Sequence, residues 1–467
     1  MRSNTARSTT TVAAISTVLI AIIALCTAIA PSRASDLVPP PPQTRPIALV
    51  GGTIHPVSAP AIEAGQIVMS GGKIVAVGKN LSLPPNAEVI DITGKHVYPG
   101  LMAAHSELGL VEIGSVRAST DTAESGSINP NVRAAVSINP DSELLPVART
   151  GGVLTALSVP QPGGEDGLIT GTSALIQLDG WSWEEMALKP RVGLHIFWPT
   201  LAINRDPSFP KSPKKQQEEA QKRLRQIDDT FAVARAYRLA RLHNSAAQDH
   251  DSRWEAMIPV FEGKLPVFIH ADELSQIESA LAWSAGQKLS IVLVGGQDAW
   301  RVAGRLKERD IPVIISPLIA LPLRRDDPYD APYTSAAKLF QAGVRFAIAN
   351  DGSSFAAPHE RNLPYQAAMA AAYGLPPDEA IRAITLYPAQ ILGVADRLGS
   401  LEVGKDATLI VTTGDPLEMA TQTERAYIQG RNIDLANRQT RLYDKYRQKY
   451  ERLLRTATPA SSTGGRQ

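Results

Sequence analysis

Apolar positions along this chain change character twice. Between Ala48 and Val97 they form short runs (Ala48-Leu49-Val50, Gln66–Met69, Lys73–Val77, Val89–Asp91), each broken by Gly, Pro or Asn. Gly71-Gly72 sits between two of them as a hairpin turn, so the segment predicts short, paired β-strands. From Pro99 onward the runs become continuous: Val153–Val159, Val192–Trp198, Pro266–Ile269, Leu289–Val294, Pro312–Ile315 and Val344–Ala349. Continuous rather than alternating runs predict strands buried on both faces, as in a parallel sheet. Helical spacing fills the gaps, at Asp272–Gly286, Asp298–Arg309 and Ser335–Ala342.

Strands alternating with helices over roughly 300 residues predict an α/β chain whose centre is a (β/α)8 TIM barrel. A charged helix, Lys211–Arg241, interrupts the series, with Leu224, Ile227, Phe231 and Ala234 on one stripe. That stripe predicts packing on the barrel, with a partner-binding helix as the alternative. After Pro388 the pattern returns to β, through Leu398–Val411 and a hairpin around Gly430. The early and late strands are therefore expected to make one discontinuous β-sandwich domain, residues 47–98 and 397–435, with the barrel spanning 99–396. Residues 436–467 are expected to be a C-terminal helix and a disordered tail.

Charge and composition add the compartment. The formal net charge is +1. Arg2, Arg7 and Arg33 lie in a leader without acidic residues, so removing residues 1–34 takes +1 to −2. A balance this close to neutral gives no reason to expect nucleic acid or an anionic surface as partner. Residues Val12–Ala30 carry no charge and are followed by Ser32-Arg33-Ala34, which predicts a signal peptide, residues 1–34, cleaved after Ala34. The expected location is exported, in the periplasm, with no stable membrane insertion after cleavage. The alternative is an uncleaved N-terminal anchor. Residues 35–46 form a Pro-rich linker. Cys26 is the only cysteine and would leave with the leader, which excludes thiol chemistry from the mature chain.

Candidate chemistry concentrates where the first long strand ends. His105 and Glu107 are two residues apart, a spacing that presents both side chains on one face of a strand. His270, followed by Ala-Asp-Glu273, and Asp351, followed by Gly352, close two further apolar runs. Barrel chemistry sits at such strand ends. Plainer accounts stand beside each: a satisfied core histidine for His105, a solvated carboxylate for Glu107, a loop cap for Asp351. His195 lies in an apolar run and reads as packing, and His359-Glu360-Arg361 reads as a solvated loop.

Four segments together resemble imidazolonepropionase-like members of the amidohydrolase superfamily. They are Pro99-Gly100-Leu101 to His105, Val267–Glu273, Phe346–Gly352, and the tail Thr385–Gly393 with Gly399–Ala407. The resemblance implies metal ligands at His105, Glu107, His270 and Asp351, with Asp351 also the catalytic proton shuttle. Glu107 stands where the family carries a second His; a carboxylate can also bind zinc or manganese. The family's bridging Lys or Glu has no counterpart in Gly193–Thr200, and its strand-six His is replaced by Gly295-Gly296. One divalent metal, zinc or manganese, is therefore the expected cofactor, lowering the pKa of a bound water towards about 7. The implied function is metal-dependent hydrolysis of a C–N bond in a small molecule or dipeptide. The alternative is a catalytically degenerate binding protein, partnered by itself or by a related amidohydrolase subunit.

Overall fold

The computed structural model describes residues 38–164, 167–243 and 249–457. The leader, the first residues of the Pro-rich linker and the tail Ser461–Gln467 lie outside the described residues. Five early strands are β1 (Ile47–Ile54), β2 (Ile62–Ser70), β3 (Lys73–Gly78), β4 (Glu88–Asp91) and β5 (His96–Pro99). The central strands are β6 (Leu101–Ser106), β7 (Val153–Ser158), β8 (Ile169–Thr172), β9 (Ala174–Gln177), β10 (Ala187–Lys189), β11 (Leu194–Phe197), β12 (Val267–Ala271), β13 (Ile291–Gly295), β14 (Val313–Ile315) and β15 (Phe346–Ile348). Three late strands follow: β16 (Leu409–Thr412), β17 (Thr423–Ile428) and β18 (Arg431–Ile433).

Early and late strands pair in one continuous eight-stranded mixed sheet, where the sequence suggested a sandwich. The junction is β5 against β16, antiparallel, with Val97 opposite Val411. Two ion networks tie this sheet to its surroundings, the first between early and late segments and the second to the central strands. Asp406 is held by Lys73 (2.6 Å) and Arg397 (2.8 Å), and Asp179, at the end of the strand pair β9–β10, by Arg149 (3.2 Å) and Arg431 (2.9 Å).

The centre is of TIM-barrel type, with a correction to the expected closed ring: the described residues form a six-stranded and a four-stranded sheet. Strands β11 to β15 are parallel neighbours, as are β6 and β7. Between these groups β8 and β9 run antiparallel to β11 and β7 respectively. Parallel neighbours need a long crossover, usually helical. The short link from β7 to β8 contains Pro160, Pro162, Gly163, Gly164 and Gly167 and offers no helix, so the chain turns back instead. At the other gap, β15 and β6 do not pair directly. Ile348 donates to the carbonyl of Ala383 and Met102 to that of Ile384, each at 2.9 Å, so residues 383–384 bridge the two strands.

Both faces of the parallel strands are buried, as the continuous runs predicted. Val267, Ile269, Leu293, Val313 and Ile348 pack outward towards the helices. Phe268, Val292, Val294, Ile314 and Ala347 fill the interior with Met102 and Leu157. The outer layer includes α1 (Pro213–His243), α2 (Leu274–Gln287) and α3 (Ala331–Gln341). Helix α1 buries Ile227, Phe231 and Ala234, the apolar stripe expected of it. The expected helix at Asp298–Arg309 is a 3-10 turn, Ala299–Val302, leading into a short α-helix, Ala303–Glu308. The chain ends in α4 (Arg438–Ala457). Among the described residues no helix is long and apolar enough to cross a membrane.

Candidate functional site

His105, His270 and Asp351 all sit at the C-terminal ends of parallel strands. Side-chain alternation sends Phe268 inward, and therefore also His270 and, past the strand end, Asp272. The register of β6 against β7 breaks between Ala103 and Ser106, and His105 lies within that break. Its ring comes to 5.1 Å from that of His270, centroid to centroid.

One protonation state of His105 follows from its neighbours. The Ser316 hydroxyl lies 2.5 Å from the Asn350 carbonyl and must donate to it, since a carbonyl only accepts. It can then only accept from His105 Nδ1, 2.8 Å away. The Nδ1 atom thus carries the proton, and Nε2 presents a lone pair that is buried without a partner. Burial lowers the pKa of this ring to about 4, keeping it neutral. The Asp351–Gly352 loop lies against it: a Cβ on Gly352 would stand 2.3 Å from ring atoms Cε1 and Nε2, so only glycine fits.

His195 is fully buried, and its Nδ1 lies 2.9 Å from His270 Nε2. One of the two nitrogens must donate and the other accept. His270 also stacks on Phe197, with centroids 3.9 Å apart. Burial and the neighbouring imidazoles hold both rings neutral, well below the ordinary histidine range.

Four carboxyl groups gather around these rings. Glu107 is 3 % exposed and accepts from Ser354 Oγ at 2.5 Å. Burial pushes it up to about 7, against the Ser354 bond and helped by the charge of Asp351. Asp272 Oδ1 is buried without a hydrogen bond, and burial raises this carboxyl to about 6. A Cβ on Gly295 would stand 2.5 Å from Asp272 Oδ1, so the carboxyl leaves no room there for the family's strand-six His. Glu360 is 1 % exposed, accepts from Asn350 Nδ2 at 2.9 Å, and is pushed to about 7 by burial. This corrects its reading as a solvated loop residue. Asp351 itself is exposed and accepts from Ser353 Oγ at 3.1 Å. Its charge helps raise Glu107, Asp272 and Glu360.

Among the described residues no three His, Cys, Asp or Glu side chains converge to hold a metal ion. The Nε2 of His270 is engaged with His195, and an oxygen of Glu107 with Ser354. As they stand, these residues do not fit a metal centre. What the arrangement offers is proton chemistry: carboxyls that titrate near neutrality beside an imidazole lone pair. Asp272 was open to the two-residue strand rule that selected Glu107. Glu360 and Ser316 carried no comparable signal.

Residues 331–435 match the amidohydrolase family. An amidohydrolase of Hapsidospora irregularis is 22 % identical over 78 % of this chain and 39 % of its own length. An imidazolonepropionase of Porphyromonas gingivalis is 33 % identical over 35 % of this chain and 37 % of its own. The chain thus spans about two fifths of the length of these relatives. An imidazolonepropionase of Fusobacterium nucleatum is 22 % identical over 74 % of this chain and 84 % of its own length. The crystal structure of an amidohydrolase from Thermotoga maritima is 28 % identical, covers 83 % of this chain and 99 % of that one, and superposes with a TM-score of 0.73.

Proposed function

Because this chain belongs to the amidohydrolase superfamily and is imidazolonepropionase-like, we propose that it is a hydrolase acting on a carbon–nitrogen bond of a small molecule. The observation that carries this reading is the cluster of Glu107, Asp272 and Glu360, three carboxyls raised towards neutral pH around the exposed Asp351. In the proposed reaction a water adds its hydroxyl to the carbonyl carbon and gives its proton to Asp351. The C–N bond breaks, and the leaving nitrogen takes a proton from Glu107, which near neutral pH is partly protonated. His105, fixed as the Nδ1–H form, accepts a hydrogen bond at Nε2 and orients the water or the substrate.

The finer reading keeps one divalent ion, zinc or manganese, on His105, Glu107, His270 and Asp351. It requires His270 to leave His195 and Glu107 to leave Ser354. A periplasmic location belongs to the same proposal and rests on residues 1–34. The second reading is a non-catalytic relative that binds a small molecule or a partner chain; it is motivated by the engagement of His270 with His195 and of Glu107 with Ser354 among the described residues.

One experiment separates them. The protein is incubated with zinc or manganese, its bound metal is measured, and it is screened against N-acyl amino acids, dipeptides and hydantoin-like rings. Turnover that Asp351→Asn abolishes, with the fold intact, supports the hydrolase. Turnover unchanged in that variant removes Asp351 from its role, and no turnover with or without metal leaves the binding protein. Close to one metal per chain would establish the ion.

A further inference from the structure

The near-neutral overall charge hides a local imbalance. Helix α4 carries seven Lys and Arg against only Asp444 and Glu451. None of its described side chains is buried. It is tied to the rest of the molecule at its start, where Asn437 caps Thr440 and Arg441 reaches Glu143 at 3.4 Å. Beyond that it presents Tyr443, Tyr446 and Tyr450 to solvent, at 69 %, 48 % and 59 % exposure.

The three kinds of residue are sorted around the helix. At 3.6 residues per turn, Leu442, Tyr443, Tyr446 and Tyr450 fall within an arc of roughly 100°. Arg438, Arg441, Lys445 and Lys449 line one flank of that arc, and Arg447 lies just beyond its other edge. Asp444 and Glu451 lie on the side away from it. Lys449 also lies over the rings of Tyr446 and Tyr450, 5.9 and 5.8 Å from their centroids.

We propose that α4 is a docking helix that lies flat on a bilayer containing anionic phospholipid. Tyrosine suits this boundary, with an apolar ring and a hydroxyl that stays wet. Flanking Lys and Arg bury their stems and extend their charges to phosphate groups. Glu451 lies on the side away from the negative surface, and Asp444 pairs with Arg447 at 3.1 Å. Charge argues against a second copy of the chain as occupant, because pairing two such helices sets like charges together. The helix rests on the surface without crossing it, consistent with the lack of a membrane-spanning helix among the described residues.

The test is co-sedimentation of the chain from Ser35 onward, which retains every described element, with phosphatidylcholine vesicles lacking or containing about a third phosphatidylglycerol. Binding is expected only to the anionic vesicles and should fall steeply at ~0.5 M salt. Tyr446→Gln with Tyr450→Gln removes the apolar contact, and Lys445→Glu with Lys449→Glu reverses the flank. Each pair should weaken binding by about tenfold or more. Tyr446→Leu with Tyr450→Leu should retain it, and unchanged far-UV circular dichroism checks that the helix persists in all three. Failure to sediment with anionic vesicles overturns the proposal, as does binding that both weakening pairs leave unchanged. Binding to polyglutamate but not to vesicles would make the occupant an acidic protein. Self-association lost in the tyrosine-to-glutamine pair would make it a second copy.

Discussion

Asp179 and Glu360 are both carboxyl groups almost withdrawn from water, at 6 % and 1 % exposure, and the molecule surrounds them differently. Asp179 sits between Arg149 and Arg431, which join the central strands to the mixed sheet. Glu360 accepts from the Asn350 amide and has no ion-pair partner among the described residues; burial raises it to about 7. Burial raises both carboxyls; at Asp179 the guanidiniums of Arg431 and Arg149 oppose that rise, whereas Glu360 has no such cation and keeps its proton towards neutral pH. A fastening and a stored proton thus use the same functional group, and what separates them is whether a cation stands alongside.

The largest effect is expected of Asp179→Asn, which leaves two buried guanidiniums facing a neutral amide. Urea unfolding should show a loss of about 3–5 kcal/mol. Glu360→Gln tests the opposite arm through pH. The folded carboxyl holds its proton up to about 7, against 4.5 for the ordinary group. The wild type should therefore lose stability as pH rises from the lower value through the higher, because only the folded state still binds the proton. Glutamine has no proton to lose, so between pH 4.5 and 8 the variant should gain about 2–3 kcal/mol relative to the wild type, read from unfolding curves at the two ends. A gap independent of pH would mean that Glu360 is charged throughout.

Gly352→Ala tests how closely the site is packed. The added methyl meets the His105 ring, and a cost of about 2 kcal/mol is expected, with loss of any turnover. The smallest effect belongs to an exposed pair. Lys95→Ala removes the contact to Glu424 and should change stability by about 0.5 kcal/mol or less. A loss as large as that of Asp179→Asn would show that exposure does not divide these pairs.

Much of this could be read from residue order. Runs such as Leu289–Val294 announced strands buried on both faces, and β13 lies where they placed it. The stripe through Ile227 and Phe231 announced the packed face of α1. The reversed strands β8 and β9 did not show, because Ile169-Thr-Gly-Thr lacks a long apolar run and strand direction is set by the preceding link. At the site, His105, Glu107 and His270 were visible as strand-end polar residues. Glu360 was not, since a lone glutamate in a polar stretch looks the same whether it faces water or is packed under Asn350. The contact between His195 and His270 joins residues 75 positions apart, which no local pattern reports.

The seam between β5 and β16 has a consequence for synthesis. Residues 96–99 leave the ribosome long before their partners at 409–412, and Lys73 waits 333 residues for Asp406. Until then the first sheet has an open edge, and open edges invite pairing with other chains. A nascent chain cut short before residue 409 would expose that edge permanently, so truncated products should aggregate where the complete chain does not.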